Sequence, residues 1–209
     1  MTIAKTKDRK KQFVVFDVEG VLLPKKRYLL FDAARKLGPK GFIKIITLGF
    51  LYEVGLLPLE SALRRIFSLY QGFTVNELYQ IYKTLPLIPG GEELFEELNT
   101  SGYKTALISS GLPTLFVRDL ATRLKADYAF GLEIETKNGK LTGEIGGEVI
   151  KTGGKAAILK RILDCEDLAP KNCAMVADDR NNLQMFPLCG LRIGYNPDFV
   201  LSAKSDRVV

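Results

Sequence analysis

The stretch Phe13–Leu23 reads FVVFDVEGVLL. Four consecutive apolar residues, Phe13 to Phe16, show no polar alternation. A strand with one wet face alternates; a strand that does not is covered on both faces, as in a parallel sheet between helices. The run then ends on Asp17, Glu19 and Gly20. Carboxylates at the end of a buried strand are costly unless a cation meets them there. This feature asks for a two-sided α/β core, and for positive charge supplied from elsewhere in the chain.

Elements alternate after that strand. Residues 25–85 read as a helix-rich block, in which YLLFDAARKLG and LESALRRIFSLY repeat apolar residues at helical spacing. Pro86, Pro89 and Gly90-Gly91 then punctuate the chain. A helix over EELFEELNTSG, the apolar run YKTALISSG, a helix over LPTLFVRDLATRLK and a strand at DYAFG follow in turn. Residues 131–150 alternate around Asn138-Gly139, a strong hairpin signal. Next come a helix over KAAILKRIL, a strand CAMVADD, a helix NLQMFPL interrupted by Pro187, and a last strand GLRIGY. The pattern predicts an α/β fold: a Rossmann-like parallel sheet with right-handed crossovers and a helical cap inserted after the first strand. The expected divisions are a basic tail over 1–11, a core over 12–24 and 86–209, and a cap over 25–85. No internal repeat is visible.

With 209 residues the chain is long enough for one domain carrying a sizeable insertion, and 46% apolar with 26% charged residues is ordinary for a soluble protein. The most apolar segment, Gly41–Leu59, carries Lys44 and Glu53 and holds no uncharged run of spanning length, so no membrane partner is expected. The N-terminus lacks the apolar stretch of a signal peptide. Cys165, Cys173 and Cys189 form no CxxC pair, which points to buried free thiols and a cytoplasmic protein. Part of the net charge of +6 sits in Lys5, Lys7, Arg9, Lys10 and Lys11. No aromatic residues interleave with them, so a solvated tail is expected rather than nucleic-acid binding. The chain has no histidine, which removes Ser-His-Asp and Cys-His catalysis and His-ligated metals.

In open parallel sheets the site lies at the carboxyl ends of the strands. Those ends carry Asp17 and Glu19, then Ser109 and Ser110, then Asp178 and Asp179. Acidic groups from distant segments would repel one another there unless they held a divalent cation. Oxygen ligands without His or Cys suit Mg²⁺, which keeps waters for an anionic substrate. Each residue also has a plainer use. Asp17 could form a turn, Ser109-Ser110-Gly111 a strand end, Lys155 a solvated helix surface, and Asp178-Asp179 a helix cap. Their coincidence at strand ends favours chemistry.

The set resembles the haloacid dehalogenase superfamily, and within it the phosphoserine phosphatase branch. DVEG at Asp17–Gly20 is similar to the nucleophile loop, Ser109 after ALI to the hydroxyl motif, Lys155 opening KAAIL to the motif lysine, and ADDRNN at Ala177–Asn182 to the acidic metal loop. The resemblance implies that Asp17 attacks phosphorus and forms an aspartyl-phosphate, and that Glu19 acts as acid and then base. It implies that Ser109 donates to the phosphoryl group and that Lys155 offsets negative charge. It also implies that Asp178, with Asp17 and the Glu19 carbonyl, holds Mg²⁺, with Asp179 beside them. Ser110, Gly111, Lys26 and Arg65 are the expected substrate contacts. Three positions depart from the family pattern: Glu19 and Asn182 stand where it has aspartate, and Lys26 stands where that branch has a glutamate for the substrate ammonium. The branch's cap arginine would fall at Ile66, beside Arg64 and Arg65. A lysine repels an ammonium, so the expected substrate is a small phosphomonoester other than phosphoserine. Phosphotransfer to an alcohol and phosphate binding without turnover are the alternatives. The apolar cap residues Phe42, Ile45, Ile46, Phe50 and Leu51 pack within the cap or form a homodimer contact.

Overall fold

The computed structural model describes residues 12–25 and 28–209. The basic tail over 1–11, Lys26 and Arg27 lie outside the described residues. Seven strands form one sheet: β1 Phe13–Phe16, β2 Lys104–Pro113, β3 Tyr128–Lys137, β4 Lys140–Gly146, β5 Cys173–Ala177, β6 Leu191–Gly194 and β7 Arg207–Val208. Their order is β4-β3-β2-β1-β5-β6-β7, and only the β3–β4 pair is antiparallel. All four residues of β1 are buried between β2 and β5, as the unbroken apolar run requires. The chain builds outward through β2 on one side of β1 and through β5 on the other. That switch point is where open α/β sheets bind ligands.

Helices α1 Leu29–Ala34, α2 Gly38–Glu53, α3 Leu59–Ser68 and α4 Val75–Lys83 all fall between β1 and β2. Helix α3 buries Ala62, Leu63, Ile66 and Phe67, an apolar stripe at helical spacing. Thr74 and Glu77 form a reciprocal capping box that starts α4. In the core, α5 Gly91–Thr100 sets Phe95 against Phe16 of β1, with ring centroids 4.8 Å apart. Helices α6 Thr114–Leu124 and α7 Gly154–Glu166 complete the crossovers.

The β3–β4 hairpin turns at Asn138 and Gly139, both with positive φ (53° and 74°). It does more than turn the chain. Leu141 exchanges backbone hydrogen bonds with Gly72 and Phe73 (2.9 and 2.7 Å), and Arg64 of α3 donates to the Ile145 carbonyl (2.6 Å). The helical layer therefore leans on this hairpin as well as on its own chain connections.

Several expectations are corrected. Strand β2 does not end at Ser110; it continues to Pro113 through a register shift against β3. The segment NLQMFPL belongs to a 3₁₀ helix, Arg180–Leu188, containing Pro187, whose missing N–H cannot extend an α-helical ladder. GLRIGY is not the last strand: a short helix α8, Phe199–Ser202, leads to β7, which pairs parallel to β6. Cys165 is exposed, while Cys173 and Cys189 are buried free thiols 3.6 Å apart. No helix among the described residues is long and apolar enough to cross a membrane.

Candidate active site

Asp17 directly follows β1, and its N–H extends the ladder by one bond to Val176 of β5 (3.0 Å). Its Oδ1 accepts from the Val18 N–H (2.8 Å) and from Lys155 Nζ (3.1 Å). Its Oδ2 accepts from Asn182 Nδ2, and Lys155 Nζ donates in turn to Asn182 Oδ1 (2.9 Å). Asp17, Lys155 and Asn182 thus close a ring of hydrogen bonds, and all three are buried. Lys155 sits in the first turn of α7 at only 5% exposure. Buried charges persist when paired and bonded in this way. The cation demanded by the end of β1 is this lysine.

Two glycines fit the neighbouring carboxylates. A Cβ on Gly111 would fall 1.8 Å from Glu19 Oε2, so the Glu19 carboxyl lies against bare backbone of β2. A Cβ on Gly20, whose φ is +90°, would fall 2.1 Å from Asp178 Oδ2. The turn after Asp17 needs glycine both for its dihedral and for this approach. Burial first, and the charge of Asp17 second, push the Glu19 carboxyl up to about 8. It therefore holds a proton at neutral pH.

Carboxylate oxygens of Asp17, Asp178 and Asp179 lie within 4.8 Å of one another. Burial, then the charge of Asp17, raises both Asp178 and Asp179. Asp178 Oδ1 is buried and accepts no hydrogen bond among the described residues, while Oδ2 meets Lys25 Nζ at 3.0 Å. Lys25 also donates to the carbonyl of Asn196 (3.1 Å). Asp179 Oδ1 accepts from Asn182 Nδ2 (2.9 Å) and from the Asn181 N–H (3.1 Å), capping the 3₁₀ helix. Clustered carboxyl groups with an orphaned buried oxygen fit a hard divalent cation.

A cavity of about 360 Å³ opens over these groups. Asp17, Glu19, Ser110, Gly111, Lys155, Asp179 and Asn181 form its floor, and α1, α2 and α3 form its walls. Ser109, beside Ser110 on β2, is buried and does not line the cavity; its Oγ accepts from the N–H groups of Gly111 and Leu112 (3.2 and 3.0 Å), which leaves its own proton to donate. Ser110 donates to the Val149 carbonyl (3.0 Å). Arg65 is exposed and does not line the cavity; Ile66, one residue and 100° further round α3, does. Lys26 lies outside the described residues. Ile45 packs into the core, while Ile46 and Phe50 stay exposed at the cavity wall.

The family model for haloacid dehalogenase-like hydrolases matches residues 14–187. The chain belongs to the haloacid dehalogenase-like hydrolases. Within that family it sits among the phosphatases, on the phosphoserine-phosphatase-like branch. It is 31% identical over 199 residues to the phosphoserine phosphatase of Methanocaldococcus jannaschii, covering 95% of this chain and 92% of that protein. It is 33% identical to that of Archaeoglobus fulgidus over 96% of this chain but only 57% of the relative. A structure described as a phospho-aspartyl intermediate analogue of phosphoserine phosphatase superposes with a TM-score of 0.87 at 29% identity, covering 96% and 94% of the two chains. A substrate-bound phosphoserine phosphatase complex gives 0.88 at 28% identity, covering 97% and 94%.

For this hydrolase, the sequence pattern marks Asn182 only as a departure and gives Tyr28 and Asn181 no role; it assigns Lys25, with Lys26 and Arg27, to an additional anionic group of the substrate, whereas the structure sets Lys25 against Asp178. Asn182 bridges Asp17 and Lys155. Asn181 donates to Ser110 Oγ (3.3 Å) and ties the loop carrying Asp178 and Asp179 to β2. Nothing in the pattern around Lys25 or Tyr28 marks them as neighbours of the acidic loop.

Proposed function

We propose that the chain is a Mg²⁺-dependent phosphatase that hydrolyses a small phosphomonoester through an aspartyl-phosphate on Asp17. The observation that carries this reading is the contrast between two carboxyl groups two residues apart. Asp17 is fixed by Lys155, Asn182 and a backbone N–H, while the Glu19 carboxyl lies against the bare backbone of Gly111 beside the same cavity, where burial favours its protonated form.

In the first step an Asp17 oxygen attacks phosphorus, the bond from phosphorus to the alcohol oxygen breaks, and Glu19 gives its proton to that oxygen. In the second, ionised Glu19 takes a proton from water as the water oxygen attacks phosphorus, releasing phosphate and restoring the Asp17 carboxylate. Lys155 and the Ser109 hydroxyl offset charge on the phosphoryl oxygens, with Ser110 and Gly111 beside them. Asp17, Asp178 and the Glu19 main-chain carbonyl would hold Mg²⁺, with Asp179 next to it. Bound there, it supplies charge stabilisation for nucleophile and phosphate. Residues 25–85 act as a cap that excludes bulk water.

Phosphoserine is not the substrate of this reading. Among the described residues, Ile66 and no cap arginine lines the cavity, and Lys25 is engaged with Asp178 rather than with the cavity walls. A homodimer through the cap is a second proposal, favoured by the exposed stripe Ile43, Ile46, Phe50 and Val54 on and just past α2. Sedimentation tests it.

The activity test is hydrolysis of an aryl phosphate with Mg²⁺ or with chelator, in wild type and Asp17→Asn. Turnover that needs the metal and vanishes in the variant is the expected result. Metal-independent turnover, or turnover that survives in Asp17→Asn, contradicts the reading.

A further inference from the structure

Granting the phosphatase reading, on which this step rests, the walls of the cavity narrow the substrate further. Leu30, Phe31, Phe50, Leu59, Leu63 and Ile66 face the floor from the helical layer. Tyr28 and Phe31 stack at 5.9 Å with planes 12° apart, giving one wall a flat aromatic surface. Among the described residues, no cationic side chain of the helical layer lines the cavity. Among the described residues, Glu53 is its one charged contributor and is exposed, at the end of α2. The polar groups of the floor are those that hold the phosphate, the metal and the transferred proton. Beyond the phosphate, an ester therefore meets an apolar enclosure.

We propose that the alcohol part of the ester is apolar: the site takes phosphate monoesters of alkyl or aryl alcohols in preference to phosphoserine. An α-carboxylate and an ammonium enclosed here would leave water without partners, and unpaired buried charge is strongly rejected. A methylene chain or an aryl ring gains by the same transfer. The volume, about 360 Å³, is at the lower end of small-molecule sites, so it holds the phosphate and a short chain. Ile46 and Phe50 line the cavity yet are 45% and 62% exposed, so its apolar lining runs out to the surface. A chain longer than the enclosure emerges along that edge.

The test is kcat/KM of the full chain with Mg²⁺ for ethyl, butyl and hexyl phosphate, phenyl phosphate, phosphoethanolamine and phosphoserine. The expected result is a rise of roughly fourfold per methylene from ethyl to hexyl, with phosphoserine and phosphoethanolamine below butyl phosphate by about tenfold or more. Leu63→Gln is expected to cut the hexyl-to-ethyl ratio by about tenfold. Because that variant can fail to fold, the wild type is also titrated by calorimetry with ethyl-, butyl- and hexylphosphonate, which need no turnover; tighter binding with each longer chain is expected. A flat chain-length series, or phosphoserine or phosphoethanolamine matching butyl phosphate, overturns the inference while leaving the phosphatase reading intact. No turnover with chain-dependent phosphonate binding sinks hydrolysis and supports the apolar site. No turnover and no phosphonate binding sinks both.

Discussion

Asp178 is buried among like charges, and among the described residues one of its oxygens accepts no hydrogen bond. Such a group lowers the stability of the metal-free protein, because its charge is desolvated and repelled by Asp17. Asp178→Asn is therefore expected to raise the stability of the chelated protein by about 1 kcal/mol. Mg²⁺ is expected to raise the Tm of the wild type, and the same change is expected to abolish that shift. Thermal unfolding with and without the metal reads both. At Gly111 the prediction separates chemistry from folding. A methyl there displaces the flexible end of Glu19, and the position lies outside the positive-φ region, so the backbone tolerates it. Gly111→Ala should lower kcat by about a hundredfold, the scale of a lost general acid, while Tm stays close to wild type. Steady-state kinetics beside a melting curve check it. The acidic residues were legible from sequence, because strand ends expose them as a pattern, whereas Lys155, in the first turn of α7, was marked only by the family resemblance. Asn182 as a bridge was not, because its partners Asp17 and Lys155 lie 165 and 27 residues away. Arg65 was misplaced by one residue, since a helix turns its neighbours to different faces.

At the scale of elements, Arg180 clasps the helical layer to the core. Its guanidinium donates to the carbonyls of Tyr52 and Glu53 at the end of α2 (2.9 and 2.6 Å) and lies 5.7 Å from the Tyr52 ring. Last-turn carbonyls have no helical partner, and a cation there also meets the helix dipole. Arg180→Ala is expected to cost about 1 kcal/mol and to speed hydrogen exchange in the last turn of α2 before that in β1. The edge strand β7 is held by a second arginine. Arg192 donates to both carboxylate oxygens of Asp206 (2.9 and 2.6 Å), which holds that carboxyl down at about 2. A depressed carboxylate stabilises fully above its ordinary value of 3.8 and loses that contribution as pH falls through about 2. Exchange of the β7 amides should therefore accelerate between roughly pH 4 and 2, and Asp206→Asn should remove that dependence. Strand β1, the hairpin turn and the crossover helices were readable because period and turn chemistry are local signals. Strand β7 was not, because two residues carry no period and the strand depends on the Arg192–Asp206 pair.

Across the whole molecule, two halves of different character meet at the cavity. The sheet contributes charge at the ends of β1 and β5, and the helical layer contributes an apolar roof. The hairpin β3–β4 and Arg180 join the two halves from opposite sides of the chain's order, so the roof is braced rather than hung. The sequence pattern carried the α/β architecture and the helical insertion. It did not carry the apolar roof over the floor, because which faces of α1, α2 and α3 enclose the cavity is decided by tertiary packing. The central claim is covalent chemistry at Asp17. Its most direct test is a rapid acid quench of the Mg²⁺-loaded protein during turnover of a reactive aryl phosphate, followed by mass spectrometry of the peptide holding Asp17. A phosphoryl group on Asp17 in wild type, accumulating in Glu19→Gln and absent in Asp17→Asn, is the predicted result. Turnover with no adduct, or an adduct on another residue, would contradict the account.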